Sequence, residues 1–101
     1  MLINQGNAQR IVEEMGSIIQ RPINMMDARG YIIASTDQSR IGQFHAGAHK
    51  VIEGNLPELV VEGEGSYQGA KQGINLPIYF GKEIIGVIGI TGPVDQGIHF
   101  G

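Results

Sequence analysis

Two apolar segments near the C-terminus constrain the fold most. Residues 72–80 (QGINLPIYF) and 83–91 (EIIGVIGIT) are separated only by Gly81-Lys82. Glycine at the first central position suits a type II′ turn, so the pair reads as a tight antiparallel hairpin. A two-residue loop sets Phe80 opposite Glu83, Pro77 opposite Gly86, Asn75 opposite Ile88 and Ile74 opposite Gly89. One face then carries Ile74, Leu76, Ile78, Ile85 and Val87. The other carries Ile84, Ile88 and Ile90, with Asn75 among them. Both faces are apolar, so both need a cover.

The rest of the chain offers two helices for that purpose. Ala8, Ile11, Val12, Met15, Ile18 and Ile19 recur at helical spacing, with Arg10, Glu13, Glu14 and Ser17 between them. Asn4 or Asn7 can cap this helix, and Pro22 ends it. A second stripe, Phe44, Ala48, Val51 and Ile52, predicts a short helix over residues 44–53, stopped by Gly54 and Pro57. Between the helices, residues 23–27 and 31–35 flank Ala28-Arg29-Gly30, a three-residue hairpin loop. Residues 59–61 form a short strand, and residues 62–73 form a glycine-rich loop or a weak strand. The expected fold class is α+β: an antiparallel sheet with an N-terminal helix on one face and a short pocket helix on the other. Residues 1–93 make the domain, and residues 94–101 make a loose tail.

Composition narrows the function. Net charge is −3, and the seven Lys plus Arg form no cluster, so nucleic-acid binding by these residues is not expected. There is no cysteine, which removes disulfides, thiolate metal sites and Cys nucleophiles and suits a reducing, cytoplasmic setting. No segment reads as a secretory signal or a membrane span. No catalytic set and no metal set is recognisable, so no cofactor is expected. His45 and His49 are four apart, but no third ligand has suitable spacing. Ser35, Asp37 and His45 supply the residue types of a triad without its context.

The residues that suit chemistry point to an anion. Arg40 offers a planar fork of donors for a carboxylate. Gly42 falls where the second helix is expected to begin, so backbone N–H groups there can face an anion. His45, one turn further on, can donate a hydrogen bond and can become cationic. Asn75 is polar on an apolar sheet face, and Gly86 and Gly89 leave room across from it. Gln72 and Thr91 form the polar end of the hairpin, and Lys71 adds a second positive charge beside it. Two cationic ends would suit a dicarboxylate. Each has a plainer alternative. Arg40 and Lys71 can be solvated loop charges, and His45 a capping histidine. Asn75 can satisfy a backbone group, and the glycines can serve close helix packing.

The stretches NAQRIVEEMGSII, INMMDARGYIIAST, RIGQFHAGAHKVIEG and QGINLPIYFGKEIIGVIGITG, in this order, resemble the sugar diacid recognition domain. That domain is the N-terminal sensor of bacterial carbohydrate diacid transcription regulators. The resemblance runs from Asn7 to Pro93. It implies a PAS/Cache-like sensor domain that holds its ligand between the sheet and the covering helices. The implied ligands are sugar diacids such as glucarate or galactarate, or glycerate. The implied site residues are Arg40, Gly42, His45 and Asn75, with Lys71, Gln72 and Thr91 beside them. Family members continue into a further helix and a DNA-binding region, whereas PVDQGIHFG follows here. Any transcriptional output is therefore expected from elsewhere, and an uncovered sheet face would favour a homodimer. The reading is a ligand-sensing domain, not an enzyme. Its alternative is a ligand-free dimerisation module.

Overall fold

The structure, a computed structural model, describes residues 3–63 and 65–93. The expected tail at 94–101 lies outside them. Helix α1 (Gln5–Ile19) is followed by strands β1 (Ile23–Asp27) and β2 (Ile32–Ser35) and by helix α2 (Ala46–Gly54). Strands β3 (Leu59–Val61), β4 (Gly73–Phe80) and β5 (Glu83–Thr91) complete the order. The five strands form one antiparallel sheet in the order β2-β1-β5-β4-β3. The last hairpin thus supplies β5 at the centre of the sheet.

Local chemistry sets the element ends. Asn4 caps α1 by accepting from the N–H groups of Gly6 and Asn7. Asp27 accepts from the N–H groups of Arg29 and Tyr31, and Gly30 closes the β1–β2 loop at φ 90°. Asn55, in the left-handed region at φ 47°, ends α2 one residue beyond the expected Gly54.

Each helix covers one sheet face. Ala8 and Val12 of α1 pack with Ile23, Met25, Ala34, Ile74 and Ile90. Ala48 and Val51 of α2 pack with Met26, Ile32 and Val87. Two hydrophobic layers therefore sandwich the sheet, as the two-faced hairpin requires.

Three details differ from the sequence-based expectation. First, the hairpin register slips by one beyond its tip. Phe80 pairs with Glu83 and Tyr79 with Ile84, but Ile78 pairs with Gly86, leaving Ile85 as an extra residue. Every side chain beyond this bulge changes face. Val87 lies on the α2 side with Asn75, while Ile88 and Ile90 join Ile74 and Leu76 on the α1 side. Second, Phe44 is not helical. It bridges Tyr31, and Ile32, Gly30 and the 42–45 segment exchange backbone hydrogen bonds along the free edge of β2. Edge pairing outcompetes the helical spacing here, so α2 begins two residues later, at Ala46. Third, Ile11 and Ile18 of α1 face outward, with Ile18 82% exposed. Val12 and Ala8 provide the buried contact.

The fold therefore predicts contrasting mutations. Ile23→Ala, which empties a fully buried site, should lower the unfolding free energy by about 2–5 kcal/mol. Ile18→Ala should change it by no more than about 0.5 kcal/mol. Urea unfolding compares the two, and a large loss at Ile18 would contradict the helix orientation.

Candidate functional site

A polar row crosses the sheet beneath the start of α2. Strand pairing places Ser35, Asn24, Gly89 and Asn75 side by side on β2, β1, β5 and β4, all on the α2 face. Gly89 is the gap in this row. A Cβ there would lie 2.9 Å from Asn75 Oδ1, closer than real side chains approach. The gap opens a small cavity of about 10 Å³, lined by Asn24, His45, Lys71, Asn75 and Thr91 among others. That is room for about one water molecule.

His45 roofs this cavity as the N-cap of α2. Its Nδ1 accepts from Ala48 N–H at 2.9 Å, so the neutral ring carries its proton on Nε2. Burial, and then the positive charge of Arg40, push its pKa down from 6.5 to about 4. His45 is therefore a neutral N–H donor at pH 7 and not the cation its sequence position allows. It is also the N-cap itself and not a residue one turn into the helix.

The walls divide into donors and one unusual acceptor. Ser35 Oγ donates to Asn24 Oδ1 at 2.5 Å and accepts from Asp37 N–H at 3.0 Å. With its oxygen occupied, Asn24 has its NH₂ group left to offer. Asn75 Oδ1 is fully buried and has no hydrogen-bond partner. An unpaired buried acceptor costs about 1–3 kcal/mol, so this oxygen marks a place where a donor belongs.

Four of the seven expected site residues meet here: His45, Lys71, Asn75 and Thr91. Arg40 stands next door. It sits in a short 3₁₀ turn (Gln38–Arg40) capped by Asp37, and its Nη2 donates to the Gly69 carbonyl. It lines an adjoining open groove of about 350 Å³ with Gln43, Tyr67, Gln68 and Lys71, the residue common to both spaces. Gly42 is not at a helix start. It lies in an exposed turn at φ 93°, and its N–H donates to Ile32 O at 2.8 Å, so it faces no cavity. Gln72 is exposed, and its carbonyl accepts from Gly92 N–H. Gly86 opens no space here either: its pairing with Ile78 puts it on the α1 face. Asn24 is the lining residue that sequence reading missed. It carried the same signal as Asn75, a lone amide in an apolar strand, but its distance from Asn75 depends on strand order.

The fold is that of a Cache-like sensor domain. It superposes on the sensor domain of the Vibrio cholerae histidine kinase DctB with a TM-score of 0.65 at 24% identity, over 89% of this chain and 38% of that one. The chain belongs to the family described as "Putative sugar diacid recognition", whose model matches residues 3–101. It is 46% identical over 86 residues to the carbohydrate diacid regulator of Escherichia coli, spanning 84% of this chain and 22% of that protein. It is 37% identical over 99 residues to an uncharacterized Haemophilus influenzae protein, spanning 95% of this chain and 27% of the other. The chain thus spans about a quarter of the length of these curated relatives. No helix among the described residues is long and apolar enough to cross a membrane.

The buried histidine predicts a pH signature. Between pH 6.5 and about 4 the unfolded chain binds a proton at His45 that the folded chain does not. Stability contributed by this group should be complete above pH 6.5, fall as the pH drops toward 4 and level off below it. The total loss should be on the order of 3 kcal/mol. His45→Asn keeps a capping acceptor without a titrating ring, so its denaturation midpoint should be flatter between pH 6.5 and 5. An equal slope in both proteins would contradict the assignment.

Proposed function

We propose that this chain is the ligand-sensing domain of a cytoplasmic transcription regulator and binds a sugar diacid or a related hydroxylated carboxylate. The observation that carries the reading is the buried, partnerless Asn75 Oδ1 over the Gly89 gap. An ionised carboxylate offers only acceptors, so it cannot satisfy that oxygen. A ligand hydroxyl can. The surrounding groups, His45 Nε2–H, the Asn24 NH₂, Lys71 and the nearby Arg40, are donors suited to carboxylate oxygens. A polyhydroxylated diacid carries both kinds of partner. Arg40 clamps one carboxylate, His45 adds a neutral donor, Asn75 accepts from a hydroxyl, and Lys71 and Thr91 meet the far end. Gly42 and Gln72 take no direct part. Membership of a sugar diacid recognition family and similarity to a carbohydrate diacid regulator support the ligand class and the regulatory setting. Nothing in this reading calls for catalysis, a metal or another cofactor. Transcriptional output belongs to residues outside this chain.

Ile11 and Ile18, two turns apart and both exposed on α1, favour a second reading, a homodimer formed through this helix. Ile18→Lys should then shift the protein toward monomer in sedimentation, whether or not a ligand is present.

Calorimetry with D-glucarate and adipate tests the main reading, because the two share a six-carbon diacid skeleton and differ in hydroxyls. Glucarate should bind at least about tenfold tighter, matching a lost hydrogen bond to a buried acceptor. Asn75→Leu should shrink that ratio. Arg40→Ala should weaken glucarate by roughly 2–5 kcal/mol. Equal binding of the two diacids would contradict the role of Asn75, and unchanged affinity in Arg40→Ala would contradict the clamp.

A further inference from the structure

Two donors suited to a carboxylate at this site are already occupied, and by consecutive carbonyls of one segment. Ala46 opens α2, and its N–H donates to Gln68 O at 2.7 Å. Arg40 Nη2 donates to the next carbonyl, Gly69 O. The segment around these carbonyls is tightly seated. Ala70 N–H donates to Tyr67 O at 3.1 Å, closing a turn, and Ala70 is 6% exposed. Gly69 adopts φ 76°, and a Cβ on it would stand 2.1 Å from the Phe44 carbonyl oxygen. Only glycine permits that approach.

This strap lies where two spaces nearly meet. The cavity beneath His45 holds about 10 Å³, and the groove beside Arg40 about 350 Å³, with Lys71 lining both. Sites for small organic ligands run from about 300 Å³ upward, so the cavity alone is too small for a sugar acid. Yet Asn75, 2% exposed and with its oxygen unpartnered, aims into that cavity and calls for an occupant.

We propose that the Gln68 and Gly69 carbonyls form an internal plug that a ligand carboxylate displaces. This rests on the carboxylate reading above. A peptide carbonyl presents a dipole, whereas a carboxylate presents a full charge and two oxygens, and hydrogen bonds between charged partners are roughly twice as strong as neutral ones. The exchange therefore runs toward the ligand. The carboxylate takes the Arg40 fork and the Ala46 N–H, the strap leaves, and the cavity joins the groove. Asp37 is within electrostatic reach of Lys71 and Arg40. Its Oδ1 accepts from the Ser39 N–H and hydroxyl.

Hydrogen exchange on the full chain, with and without D-glucarate, tests the plug directly. With glucarate bound, amides of residues 67–71, the Ala70 N–H above all, should exchange several-fold faster while α2 stays protected. Gly69→Ala, which cannot seat the strap, should bind glucarate tighter, up to about tenfold if the open state is ~10% populated in the wild type. Slower exchange at 67–71 would mean that the strap closes over the ligand and would overturn the proposal. So would unchanged or weaker binding by a folded Gly69→Ala. If that variant does not fold, the wild-type exchange decides alone. Glucarate binding with an unchanged strap overturns the plug and spares the carboxylate reading. Absence of binding by both proteins overturns both.

Discussion

The pairing of Asn75 with Gly89 on neighbouring strands underlies the rest of the site. It depends on one extra residue, Ile85, bulged out of the central strand three residues after the turn. The bulge rotates the outer half of the hairpin so that Ile88 and Ile90 join the core beneath α1. The same rotation brings Gly89 into the polar row beneath α2. Without it, an isoleucine would stand beside Asn75 and fill the cavity. A single backbone irregularity thus settles both which residues make the larger core and where an unfilled space remains.

On the α2 side the polar groups are held by hydrogen bonds to one another and to the backbone. Ser35 Oγ donates to the Asn24 side-chain oxygen, Gln9 of α1 grips the Ser35 backbone N–H and C=O from the sheet edge, and His45 spends Nδ1 on its own helix. These bonds fix the orientation of the groups around the gap, as a preorganised binding site requires. Only the Asn75 oxygen is left without a partner among the buried side-chain atoms of the described residues. Burial also keeps His45 neutral, so the positive charge near the site comes from Arg40 and Lys71.

Much of this fold is legible in the sequence. The hairpin turn at Gly81-Lys82, the cap at Asn4 and the break at Pro22 are local chemistry, and each stands where that chemistry puts it. The two-faced hairpin demands two covering layers, and α1 and α2 supply them. What the sequence hides is non-local. The bulge at Ile85 has only an ambiguous signature: Gly86 follows it, and a glycine inside a strand can mark a bulge or a close approach of another chain segment. The pull of the β2 edge on residues 42–45 overrides a helical spacing that includes Phe44. Asn24 and Asn75 look alike in their strands, but only the β1-β5-β4 order sets them on either side of a glycine. The sequence marks Arg40 as a charged donor suited to an anion. That a loop carbonyl occupies it is not legible there, because the contact spans 29 residues.

The chain belongs to the sugar diacid recognition family and shares its fold with the DctB sensor domain. The proposed ligand site is the space between Asn75, Gly89 and His45. The most direct measurement is a ¹H–¹⁵N NMR titration of the labelled chain with D-glucarate. The largest shifts should fall at the Asn75 and Asn24 side-chain amides, at the Gly89 and Ala46 backbone amides and at the His45 ring. Shifts concentrated instead around Gly16, Ser17 and Gln20, which line the groove at the end of α1, would contradict this site.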